Sequence, residues 1–115
     1  MNGTWRPAEE VAGALNKSVG AGVYSVSCAS AGNCSAGGIY TVPAGKSLPG
    51  LEAFVVNEVN GTWGAAQEVP GTAKLNTGAG GATNVVSCAS AGHCSAGGTY
   101  SDKSIASQPF VVNET

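Results

Sequence analysis

Charge is scarce: lysine and arginine total 5, aspartate and glutamate 7, and histidine occurs once in 115 residues. A net charge of −2 offers no basic patch to draw in nucleic acid or an anionic lipid surface, so neither is expected as a partner. A single histidine, His93, leaves general acid–base chemistry few candidates. No apolar run approaches membrane-spanning length, and the amino terminus shows no charged-then-apolar signal segment. An exported protein would therefore be a mature form or a fragment. Glycine is abundant, with 18 residues, yet the apolar fraction is 43% and the two Trp, three Tyr and two Phe fall at set points. This composition describes a packed β-protein and not a disordered linker.

What the sequence has is a repeat. Asn2-Gly3-Thr4-Trp5 returns as Asn60-Gly61-Thr62-Trp63, and Val26-Ser27-Cys28-Ala29-Ser30-Ala31-Gly32 returns as Val86-Ser87-Cys88-Ala89-Ser90-Ala91-Gly92. The offset is 58 at the tryptophans (63−5), 60 at the cysteines (88−28, 94−34) and 56 at the phenylalanines (110−54), which puts the length changes in loops. The units are residues 1–59 and 60–115. Each is too small to bury both faces of its own sheet, so neighbouring units must cover one another.

Four cysteines form two Cys-x5-Cys pairs, Cys28 with Cys34 and Cys88 with Cys94, each flanking an Ala-Ser-Ala-Gly turn. That spacing suits a disulfide across a hairpin and an oxidising, extracellular compartment. Zinc sites prefer closer cysteines and more histidine, so no metal and no cofactor is expected. Five Asn-x-Ser/Thr sequons, at Asn2, Asn16, Asn33, Asn60 and Asn113, carry meaning only in a eukaryotic secretory path.

Within one unit, 22–27 and 34–42 read as a hairpin stapled at its tip, with counterparts at 83–87 and 94–100. After a loop containing Pro43, Gly45, Pro49 and Gly50 comes a third strand, 53–58, matched by 109–114. Asn60-Gly61 is a strong type I′ turn signal, and a fourth strand is expected over Thr62–Val69, as over Thr4–Val11 in the first copy. Pro7 is tolerable there only on an outer edge. Four antiparallel strands with a proline-bearing outer strand describe a propeller blade.

The cadence Val-Ser-Cys-Ala-Ser-Ala-Gly-x-Cys-Ser-Ala-Gly-Gly-x-Tyr, then Phe-Val-Val-Asn-Glu, then Asn-Gly-Thr-Trp resembles the blade repeats of secreted bacterial β-propellers over nearly the whole chain. Chains of two blades that close as rings are also similar in plan to oligomeric propeller lectins. The expected fold is thus all-β, with two four-stranded blades per chain closing into a propeller by oligomerisation. The amino-terminal strand of one protomer would complete the last blade of the next. Propellers need four to eight blades, so a trimer is favoured and a dimer or tetramer also closes.

Catalysis is not expected. His93 aligns with Asn33 of the other copy at a hairpin tip, and no serine elbow or phosphate loop occurs; Gly78-Ala79-Gly80-Gly81 lacks the strand–loop–helix setting of a dinucleotide site. A glycosidase would need two carboxylates, one with a raised pKa, and none is anticipated in a pocket. Glu10, Glu68, Glu58 and Glu114 read as edge-strand residues that keep the surface soluble. Binding is the better prospect. Trp5 and Trp63 offer flat faces for a sugar ring, but the role favoured for them is a wedge between blades, in which Trp63 shares a face with Ala65 and Val69. Tyr40 and Tyr100, ending the second strands, could line a groove. The expected function is therefore a self-assembling propeller that binds carbohydrate weakly and multivalently, with a ligand-free structural scaffold as the alternative.

Overall fold

The computed structural model describes residues 3–13, 15, 20–42, 50–78 and 80–115. The expected loop through Pro43, Gly45 and Pro49, and Asn2, Asn16 and Ala79, lie outside them. The fold is all-β, with antiparallel sheets and, among the described residues, one helical turn. The first sheet contains β1 (Ala21–Ser30), β2 (Asn33–Val42), β3 (Gly50–Val59), β4 (Thr62–Trp63) and β5 (Gln67–Glu68). After α1 (Thr72–Leu75), the second sheet contains β6 (Ala82–Ser90), β7 (His93–Ser101) and β8 (Ser107–Asn113). The order is β1-β2-β3, with β4 and β5 both pairing β3, and then β6-β7-β8.

Both hairpins turn where the cysteines lie. Cys28 stands directly opposite Cys34 and Cys88 opposite Cys94, with Cα separations of 3.9 and 4.0 Å across the disulfides. Gly32 and Gly92, at φ of 75° and 78°, make these turns possible. Asn60 and Gly61 take φ of 50° and 82°, the pair of positive values that a type I′ turn needs.

The fourth strand departs from expectation. Gly64 N–H donates to Asn57 O, whereas Gln67 pairs with Val55, so three steps on one strand match two on the other. The extra residue bulges the strand between β4 and β5 and turns Ala66, not Ala65, into the core. Trp63 therefore does not share a simple alternating face with Ala65. Thr4–Val11 forms no strand at all: the β3 edge is already occupied by β4 and β5, and Pro7 brings no N–H to a ladder. Instead Val11, Ala12 and Leu15 pack onto the first sheet beside Phe54, Val56 and Tyr40.

The two sheets meet through β6, which packs against β1, β2 and β3. β6 runs alongside β1 in the same direction: Val86 N–H donates to Ser25 Oγ at 3.0 Å and Cys88 N–H to Ser27 Oγ at 3.1 Å. Small residues allow this closeness. A Cβ on Gly37 would stand 2.5 Å from Thr83 Cγ2, and one on Gly38 would overlap the Gly22 carbonyl oxygen on β1.

Candidate functional site

The junction between the sheets carries a chain of polar side chains. Ser35 Oγ donates to Asn57 Oδ1 at 2.6 Å, and Asn57 Nδ2 donates across to Glu114 Oε1 at 2.6 Å. Ser35 has one proton, given to Asn57, so its 3.1 Å approach to Cys94 Sγ is packing. These residues border a cavity of about 210 Å³ shared with Val55, Val86 and Val112. Glu114 is thus tied into the junction and is more than a solubilising edge residue. The same grouping recurs in the second sheet, where Ser95 Oγ donates to Asn113 Oδ1 at 2.7 Å.

The four candidate aromatics separate. Trp5 is 96% exposed, whereas Trp63, its repeat counterpart, is half-buried against the core. Both border one open groove with Arg6, Glu58 and Asn60. Arg6 Nη1 donates to Gly61 O at 3.3 Å, which holds the amino-terminal segment over the β3–β4 turn. Tyr40 is 4% exposed and its hydroxyl donates to Glu68 Oε2 at 2.9 Å, so its ring belongs to the core and presents no face to a ligand. Tyr100 is half-buried on β7, apart from the tryptophan groove.

Tyr40 also gathers carboxylates. Burial, the hydrogen bond to Glu68 and the Glu68 charge push its hydroxyl well above the ordinary tyrosine range. Glu52 lies opposite Tyr40 on β3, and burial raises its pKa above 4.5, aided by Glu68 and opposed by a hydrogen bond with Asn76. Glu52, with its raised pKa, and Glu68 thus both lie beside Tyr40. Neither carboxylate borders the inter-sheet cavity or the tryptophan groove, and the Tyr40 ring is buried in the core. Glu68 is a hydrogen-bond acceptor here, not simply a surface charge.

Two further polar residues hold loops. Asn76, 6% exposed, donates to Leu51 O and accepts from Gly80 N–H and Ser101 N–H, fixing the connection between the sheets. Asp102 accepts from Gln108 Nε2, Ala106 N–H and Ser104 N–H, which hold its carboxyl below the usual range and shape the β7–β8 turn. His93 is exposed at its hairpin tip. Among the described residues no three His, Cys, Asp or Glu side chains group as metal ligands, and all four cysteines are in disulfides. The two disulfides are compatible with an extracellular location.

The Ser–Asn–Glu chain escaped the sequence reading. Its signal was available: Ser35/Ser95, Asn57/Asn113 and Glu58/Glu114 repeat in register, and a hydrogen-bonding side chain retained on a buried sheet face implies a partner across it. No protein family, curated protein or solved structure matches this chain.

Proposed function

We propose that the chain is a non-catalytic, extracellular β-propeller module that assembles with copies of itself into a closed ring. One observation carries this reading: the Asn-Gly-Thr-Trp motif stands in two environments. Trp63 sits on β4, paired to the outer edge of β3 and packed against the core; Trp5 is 96% exposed, and β8, the counterpart of β3, has among the described residues no strand on its outer edge. The segment carrying Trp5 in one protomer fits the β8 edge of another. Glu10 would then reach Tyr100 as Glu68 reaches Tyr40 (10+58=68, 40+60=100). An edge covered in this way is closed to fibre growth. Trimeric closure gives six blades, and two or four protomers would give four or eight. Trp5→Ser tests this: it should lower the mass in solution and leave the far-ultraviolet spectrum of the protomer intact. Unchanged mass would contradict strand donation.

A second reading, carbohydrate binding by a ring that closes without donating the Trp5 segment, draws on the groove that brings Trp5 and Trp63 together with Arg6, Glu58 and Asn60. Flat rings beside charged and amide groups suit stacking on a sugar and bonding to its hydroxyls. Repeated weak sites on a rigid ring gain apparent affinity through multivalency. A glycan array probed with the intact assembly tests it; the absence of binding to every glycan would leave the scaffold role alone.

A further inference from the structure

We infer that the molecule carries, on its two outer sheet faces, the two halves of a second interface like the one it already contains, and that the occupant of each half is another copy of this chain. This rests on the ring reading above and specifies which surfaces close it.

The internal interface supplies the template. Its first half is the face of the first sheet presenting Gly37, Val55 and Asn57; its second half is the face of the second sheet presenting Thr83, Val86 and Glu114. Each residue has a repeat counterpart on an outer face, and the exposures differ as an unfilled interface requires. Thr83 is 0% and Val86 6% exposed, whereas Val23 and Val26 are 50% and 58% exposed. Val55 is half-buried in the junction, whereas Val111 is 86% exposed. Val23 and Val26 border the groove under the protomer's own amino-terminal segment, which strand donation vacates, and Val111 is open; these are two complementary surfaces, and not one self-complementary patch. Their pairing is head to tail, which a cyclic assembly needs.

The register follows from the repeat offsets. Gly97 of one copy lies against Val23 of the next, as Gly37 lies against Thr83; a Cβ on Gly97 would have only ordinary contacts within its own chain. Asn113 Nδ2 donates to Glu58 of the next copy, as Asn57 Nδ2 donates to Glu114. Asn113 is already oriented for this, since Ser95 Oγ binds its carbonyl oxygen as Ser35 Oγ binds that of Asn57. Cys28 N–H of the next copy donates to Ser87 Oγ, as Cys88 N–H donates to Ser27 Oγ. Two positions differ. Val85 replaces Ser25 and accepts no bond from Val26 N–H, while Val23 replaces Thr83, whose buried Oγ1 has no hydrogen-bond partner.

The test uses Val23→Arg and Val111→Arg, both at positions exposed in the protomer, with mass measured by light scattering without reductant and fold checked by circular dichroism. Each variant alone should fall to 11.2 kDa, and an equimolar mixture should recover a species of two chains, because one intact pair of faces remains. Wild-type mass in both variants, or a mixture that stays at one chain, would overturn the inference. Asn113→Asp, setting a carboxylate against Glu58, should weaken assembly at least tenfold, and adding Glu58→Gln should restore it by exchanging donor and acceptor; no rescue would refute this pair. If Trp5→Ser dissociates the ring while both arginine variants keep it, these faces are wrong and strand donation stands. Wild-type protein at one chain would remove both readings.

Discussion

Replacing Cys28 and Cys34 by alanine removes a cross-link that closes a sequence separation of 6 residues. In the chain-entropy description, a loop of that size restricts the unfolded chain by about 2.3 kcal/mol at 25 °C, a large share of a total stability of roughly 5–15 kcal/mol. The Cys88–Cys94 bridge closes the same separation, so its entropic effect is equal. Its surroundings are not equal. Cys94 Sγ lies 3.1 Å from Ser35 Oγ and Cys88 Sγ lies 3.6 Å from Ser27 O, both across the sheet junction, so alanine there also leaves a gap costing about 1 kcal/mol. The expected losses are about 2.3 kcal/mol for the first pair and about 3.3 kcal/mol for the second. Urea unfolding followed by circular dichroism, without reductant and at one fixed protomer concentration, measures both. The slope with urea should rise as the unfolded chain expands. A loss below about 1 kcal/mol for either pair, or a larger loss for the first than for the second, would refute the reasoning.

Other consequences are equally specific. Gly38→Ala would bring a Cβ within 2.8 Å of Gly22 C and 2.9 Å of Val23 Cα, and Gly98→Ala would do the same against Ala82 and Thr83, so each should destabilise by roughly 3 kcal/mol or more; Gly20→Ala, with open space around it, should be near neutral. Thr83→Val removes a fully buried hydroxyl that has no partner and installs the residue found at position 23, so thermal unfolding should show a gain of about 1 kcal/mol. Glu52 has its pKa raised above 4.5 by burial, so in the pH window between its unfolded and folded values the folded state binds more proton than the unfolded state. Its stabilising effect is complete below about pH 4.5 and is lost as pH rises through the folded value; Glu52→Gln should flatten that decline and raise stability at pH 7, measured by melting across pH 4–8.

Strand positions were legible because the repeat and the turn residues fixed them. Asn60-Gly61 and the Cys-x5-Cys pairs each predict a local backbone geometry, and both hairpins form where those residues stand. Thr4–Val11 was not legible as an unpaired segment, since its sequence copies that of a strand and only the absence of a ladder partner keeps it from forming one. The β4–β5 break comes from one surplus residue, a matter of register that alternation alone does not reveal. The helical turn Thr72–Leu75 follows Gly71 at φ 88°, a tertiary arrangement with no periodic apolar signal over four residues. Tyr40 and Tyr100 align in sequence, yet Tyr40 is buried by the strand that brings Glu68 to it, while the counterpart of that strand is not paired beside Tyr100. The same local sequence gives two environments because the units have different neighbours.

The central claim is that copies of this chain complete one another, and absolute mass in solution tests it most directly. Light scattering on a sizing column without reductant should give three protomers, or a closed set of two or four, with no growth as concentration rises. A folded species at 11.2 kDa across that range would contradict the account.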